Sequence, residues 1–191
     1  MLNGLSNYLF SNNLLESARL KPNFFTRERS LSFQTVLTFL LSDLQGAVQS
    51  ELDPFFANLR NRADSVRVVT AQAFYRARYK ISALVFAEVN RQRMSLVEEH
   101  FPVPRWRGLR VIAADGRVVR LTLIKNGVRS IVKGVAFALY LPGIELLLDF
   151  ARHEPVCNER QRLFETLDLL REDDLLVLDR GFTPPHYCFR C

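Results

Sequence analysis

The chain is short of cysteine, tryptophan and histidine, and it has no long apolar run. Three cysteines in 191 residues, two of them among the last four positions, do not make a disulfide framework for a chain of this length. A reducing compartment is the simpler expectation. No apolar stretch approaches the roughly 18 residues that a membrane helix needs, and Met1 to Leu20 has no basic segment ahead of its apolar residues. Neither a membrane span nor a secretory signal is expected, which places the protein in the cytoplasm. With eight Gly, eight Pro, 24% charged and 48% hydrophobic residues, the composition also excludes a collagenous, low-complexity or disordered chain.

Acidic residues are the scarcer charge. Twenty-six Lys and Arg against twenty Asp and Glu give a net charge of +6, which favours a polyanionic partner without naming one. The surplus is concentrated. Six basic residues, Arg60, Arg62, Arg67, Arg76, Arg78 and Lys80, stand against the single acid Asp64. Between His100 and Gly143, eight (Arg105, Arg107, Arg110, Arg117, Arg120, Lys125, Arg129, Lys133) surround one carboxylate, Asp115.

Residues 1–100 carry helical spacing. Phe33, Val36, Leu37, Leu40, Leu41 and Leu44 form one apolar stripe behind a Ser32 cap. Val48, Leu52, Phe55, Phe56 and Leu59 repeat it, with Pro54 either kinking the helix or opening it behind an Asp53 cap. Thr70 caps a helix over Ala71 to Lys80, and Ser82 another whose Val85, Phe86 and Val89 share a face.

From Phe101 onward Pro102, Pro104 and β-branched residues change the pattern and place a domain boundary near 100. Val111 to Ala114, Val118 to Leu123, Ile131 to Leu141 and Ile144 to Phe150 read as strands of an antiparallel meander. They are separated by the turn pairs Asp115-Gly116, Asn126-Gly127 and Pro142-Gly143. Asn158 with Gln161 opens a helix whose Leu163, Phe164, Leu167 and Leu170 form a buried face. Leu175 to Leu178 then reads as a strand buried on both faces and parallel to a neighbour.

Two segments share one grammar: Val111-Ile112-Ala113-Ala114-Asp115 and Leu175-Leu176-Val177-Leu178-Asp179 each run four apolar residues into an Asp, with a glycine within two positions. On adjacent parallel strands both carboxylates would emerge at the carboxyl edge of the sheet, where ligands of open α/β sheets bind. Two carboxylates that close require a shared proton or a divalent cation. The alternative is structural: Asp115-Gly116 as a hairpin turn, and Asp179-Arg180-Gly181 as a strand-ending turn with Arg180 a surface partner.

At these residues the chain resembles the DDE transposases of bacterial insertion sequences, of the insertion-sequence-4 type. Leu176-Val177-Leu178-Asp179-Arg180-Gly181-Phe182 is similar to the motif around the family's second carboxylate. Arg110 to Gly116 resembles the strand bearing the first, and Val118 to Leu121 the strand after it. Phe25 to Phe33 and Thr70 to Lys80 resemble the family's helical N-terminal region. The resemblance implies an α+β chain: a helical DNA-binding and assembly region over 1–100, then an RNase H-like mixed α/β catalytic domain over 101–191. In that fold the first Asp stands on the first strand, the second on the fourth, and a third acid on a later helix. Twelve residues follow Asp179 and none is acidic, so the expectation is a truncated, incomplete domain that is not competent to cut by itself.

The resemblance further implies Mg²⁺ or Mn²⁺ held by Asp115 and Asp179, double-stranded DNA (terminal inverted repeats and target) as partner, a homodimer in a synaptic complex, and a nucleoid-associated location. Arg76, Arg78, Lys80, Arg105, Arg107 and Arg180 are the residues expected to meet DNA. The segment Tyr75 to Lys80 reads either as a groove-entering helix or as a solvated basic face. Trp106 reads either as a base-stacking residue or as cover for the domain junction. Cys188 and Cys191, without a second pair, do not make a zinc site. Three functions compete: a transposase subunit, a non-catalytic protein occupying transposon ends, and a decayed fragment.

Overall fold

A computed structural model describes residues 2–27, 29–42, 44–62, 66–125, 128–153, 159–179 and 182. The chain divides into two compact units, Met1–Val89 and Asn90–Cys191. Among the described residues there are seven α-helices and five strands, an α+β arrangement. No helix among them is long and apolar enough to cross a membrane.

The first unit is helical: α1 (Leu2–Leu9), α2 (Asn12–Ala18), α3 (Phe33–Leu41), α4 (Val48–Leu59), α5 (Ala71–Arg78) and the start of α6 (Leu84–His100). Side-chain oxygens start three of them. Ser11 accepts from the Leu14 N–H, Ser32 from Thr35 and Thr70 from Ala73, each satisfying one orphan donor of a helix N-terminus. The core gathers Leu14, Phe33, Val36, Leu37, Leu52, Phe56 and Phe74. Phe39 sits at its centre, edge-on to Phe55 and Phe74 at 5.1 and 4.8 Å between ring centroids.

The expected stripe of α3 is only partly the observed one, because Leu41 is exposed while Phe39 is buried. Leu41 is the last residue of the helix, and Ser42 turns the chain away. Helix α4 begins at Val48 behind Ala47 and continues past Pro54, so Asp53 is not a cap. Its carboxylate instead accepts from Gln49 and lies 3.7 Å from Arg67. Helices α1 and α2 have no counterpart in the sequence reading.

The second unit is built on one mixed sheet: β1 (Arg105–Trp106), β2 (Leu109–Lys125), β3 (Val128–Leu141), β4 (Leu146–His153) and β5 (Asp174–Leu178). Strand β1 turns into β2 through Arg107 and Gly108, both at positive φ (51° and 86°), the geometry of a type I′ hairpin. Strands β2, β3 and β4 are antiparallel in sequence order, and β5 pairs parallel to β2. Helix α7 (Glu159–Glu165) and a 3₁₀ turn (Leu167–Leu169) precede β5.

The turn expected at Asp115-Gly116 is absent. These residues lie inside the long strand β2, opposite Ala138 and Phe137 of β3, where the pairing of thirteen consecutive residues outweighs a local turn preference. Pro142-Gly143 does turn, with β4 starting at Leu146. Asn126-Gly127 lies outside the described residues. The core beneath the sheet contains Met94 of α6 with Ile112, Ala114, Phe137, Leu139 and Leu141. Phe164 is exposed rather than buried, as is Leu167; Leu163 and Leu170 pack against that core instead. Strand β5 is less buried than expected, with Val177 and Leu178 reaching solvent. Among the described residues it pairs with β2 alone, which makes it an edge.

Candidate functional site

Alternation along β2 separates two faces. Arg110, Ile112 and Ala114 are buried, while Asp115, on the other face, is exposed. On the parallel partner, Arg110 stands opposite Asp174, Ile112 opposite Leu176 and Ala114 opposite Leu178. One residue beyond the end of this parallel register lie Asp115, inside β2, and Asp179, just after β5. Adjacent strands are about 4.8 Å apart. Asp179 is likewise exposed.

The register is anchored five residues upstream. Arg110 donates from Nε and Nη2 to the two carboxylate oxygens of Asp174, at 2.6 and 2.7 Å, and from Nη1 to Glu98 of α6 at 2.6 Å. Arg171 closes the network, its Nη2 2.6 Å from Glu98 and its backbone N–H donating to Asp174 at 2.8 Å. The side chains of Arg110 and Asp174 are each only 2% exposed. Burial pushes the Asp174 carboxyl up, but the Arg110 and Arg171 hydrogen bonds and charges outweigh it and hold the group below the usual carboxylate range. The Arg110 guanidinium is raised above its ordinary value, chiefly by its hydrogen bonds to Asp174 against the opposing cost of burial.

Arg110 is therefore not part of the basic surface to which its position in the sequence assigned it. A signal existed: opposite charges, Arg110 and Asp174, stand at the same offset ahead of the two matched apolar runs.

Asp149 lies 3.6 Å from Arg162, and Glu154 is outside the described residues. Among the described residues there is no group of three or more His, Cys, Asp or Glu that could hold a metal ion.

The basic residues fall in several places. Arg105 is held by Asp173 at 2.6 Å and donates to the Gly108 carbonyl at 2.8 Å. The hydrogen bond from Arg105 to Asp173 lowers the Asp173 pKa from its ordinary value. Arg107 lies over the exposed Trp106 ring, 4.7 Å from its centroid. The cations of α5 and of the turn after it point to different places: Arg78 packs over Tyr75 and Tyr79, 5.7 Å from each ring, and the Lys80 ammonium lies over Phe24 and Phe25. Arg76 and Lys80 also line a groove of about 590 Å³ together with Arg29, a residue the sequence reading did not single out. Arg180, Cys157, Cys188 and Cys191 lie outside the described residues.

Comparison of the chain with protein-family models, with curated proteins and with solved structures finds no match. What the fold and the site define is an α+β protein with an exposed carboxylate pair at the end of a parallel strand pair.

Proposed function

We propose that this chain belongs to the strand-cleavage and strand-transfer machinery of a DDE transposase, with an RNase H-like second unit in which Asp115 and Asp179 are the first two acids of the catalytic set. The observation that carries the reading is the β2–β5 register, whose last pair, Ala114 and Leu178, is followed on each strand by an Asp, two residues sixty-four positions apart in the chain. The order β4-β3-β2-β5, with only the last pair parallel, agrees with a first acid on the first long strand and a second after the fourth.

Two exposed carboxylates suit one Mg²⁺ or Mn²⁺, which is commonly bound by one or two carboxylates together with substrate phosphate oxygens. Asp115 and Asp179 would hold it. When bound, such an ion supplies charge neutralisation at the phosphate and a more acidic attacking water. A two-ion centre needs ligands beyond the pair these residues provide, so the chain by itself binds DNA and one cation without nicking. Duplex DNA at insertion-sequence ends is the partner, and a homodimer the form in which two ends are held.

Mn²⁺ binding followed by electron paramagnetic resonance tests the reading. The wild-type chain binds Mn²⁺, and Asp115→Asn or Asp179→Asn each abolishes that binding; an affinity untouched by both substitutions overturns it. Mg²⁺- or Mn²⁺-dependent nicking of transposon-end DNA by the pure chain would overturn the one-cation limit. The absence of a larger acidic cluster among the described residues favours one second reading, a protein that occupies DNA ends without cutting. Tight, end-specific binding in the Asp115→Asn/Asp179→Asn double variant distinguishes it.

A further inference from the structure

The two strands that lead to the carboxylates carry little instruction on how to align. Their ladder runs through Val111, Ile112, Ala113 and Ala114 on β2 and through Leu175, Leu176, Val177 and Leu178 on β5, and all eight residues are apolar. Burial along β5 does not alternate either: Leu175 and Leu176 are both half-buried, and Val177 and Leu178 are both exposed. Register is firmly specified where one face of a strand is apolar and the other polar, and weakly where the two faces are alike. A shift of one residue would still set apolar side chains against apolar side chains over most of this ladder.

The first rung is different. Arg110 and Asp174 are the only charged residues of the parallel ladder; they stand opposite each other, and both side chains are buried. Each is tied to its surroundings as well. Glu98 of α6 accepts from Arg110 through one carboxylate oxygen and from Arg171 through the other, and Asp174 accepts from the Arg171 backbone N–H. A slipped β5 would therefore part a guanidinium and a carboxylate that have no water to replace the partner. The neighbouring pair Arg105–Asp173 is nearly half exposed and specifies far less.

We propose that Arg110 and Asp174 are positioning residues for the Asp115/Asp179 cation site: by fixing the first rung of the ladder they fix its last, Ala114 opposite Leu178, and with it the match between the two Asp residues that follow. The pair lies five residues, roughly 16 Å of strand, from those ligands and acts through the backbone alone. The inference rests on the reading of Asp115 and Asp179 as ligands of one divalent cation.

Moving the acid by one position tests it. In Asp174→Leu/Leu175→Asp the carboxylate comes one residue later, and its pairing with Arg110 draws β5 one step along β2. Position 113 then faces position 178 in place of 177. Oxidative cross-linking reads this without any metal, in the full chain with Cys157, Cys188 and Cys191 replaced by Ser. Ala113→Cys/Val177→Cys closes a disulfide in the native alignment; Ala113→Cys/Leu178→Cys closes one only in the shifted alignment, since the two side chains otherwise leave opposite faces of the sheet. With the acid in its native place only the first cross-link forms, and with the acid moved the second replaces it. Mn²⁺ affinity, followed by electron paramagnetic resonance, falls more than about tenfold in the moved-acid variant, because Asp179 then aligns with Ala114 and turns to the face away from Asp115.

A second variant covers the case in which the first does not fold. Arg110→Met/Asp174→Leu removes both buried charges; both cross-links form in it, and Mn²⁺ affinity falls about threefold, the result of a native register that is one of three with similar populations. A pair that only stabilised the fold would leave alignment and affinity as they were. The native cross-link alone, with wild-type Mn²⁺ affinity, in either variant overturns the proposal. Cross-links that move in a chain whose wild type binds no Mn²⁺ overturn the cation reading and with it the positioning role, while the register assignment stands. Cross-links that stay in place in a chain that does bind Mn²⁺ overturn the positioning role alone.

Discussion

Arg110 and Asp174 face each other at the start of the parallel pair β2–β5, joined by two hydrogen bonds of 2.6 and 2.7 Å in the interior of the second unit. A slip of one residue between these strands would leave a guanidinium and a carboxylate buried apart. It would also turn Asp179 to the opposite face from Asp115, since side chains alternate along a strand. The ion pair thus specifies the register on which the carboxylate site depends. Specification is the use for which a buried ion pair is best suited, because desolvation offsets much of its contribution to stability.

Breaking that pair from one side is therefore expected to be far more damaging than removing it altogether. Arg110→Met, which strands the Asp174 carboxylate, should cost about 3–5 kcal/mol in urea unfolding. The double variant Arg110→Met/Asp174→Leu should recover most of this, with Arg171 still neutralising Glu98. A double variant as unstable as the single one would contradict the argument.

The same network gives a pH dependence. Asp174 and Asp173 both have pKa values below the ordinary range in the folded protein, so below about pH 4 the unfolded chain binds more protons than the folded one. Their contribution is fully present above the unfolded value of about 3.9 and disappears as pH falls through the folded values. Thermal melts across the acid range should show a decline that is shallower in Arg110→Met/Asp174→Leu than in the wild type.

Pro54 lies in the interior of α4, where its ring cannot donate to the carbonyl four residues earlier and crowds it. Pro54→Ala should stabilise the first unit by about 1–2 kcal/mol, less than the roughly 3 kcal/mol propensity difference, because the proline also restricts the unfolded chain. Chemical denaturation provides the measurement, and a loss of stability would show that the proline geometry is required by the packing around Leu52 and Phe56.

Strand β5 presents an apolar edge in which Val177 is 47% exposed. Lysine on an edge strand blocks edge-to-edge pairing at little cost to the fold. Val177→Lys should reduce concentration-dependent light scattering while changing unfolding free energy by less than about 0.5 kcal/mol; unaltered association would place the sticky surface elsewhere.

Much of the local architecture is legible in the chain. The Ser32 and Thr70 caps operate as their spacing suggests, because a hydroxyl three residues ahead of an orphan N–H needs nothing from the rest of the molecule. The parallel relation of β5 to β2 also follows from short range, since a helical crossover between two strands favours it. Asp115-Gly116 shows the opposite case. The dipeptide has a strong turn preference, yet it is extended in β2 because a ladder on β3 continues through it. Phe164 and Leu41 carry helical spacing that implies burial, but lie where nothing covers them.

The amino-acid order by itself determined which residues are helical or extended over most of the chain, and that two Asp residues close two matched apolar runs, since both are consequences of spacing along a backbone. Only the tertiary structure decided that Arg110 is an interior residue and that Arg29 shares a groove with Arg76. A charge reads the same in sequence whether it is solvated, paired or gathered with others, and its role is set by the neighbours that folding brings from elsewhere in the chain.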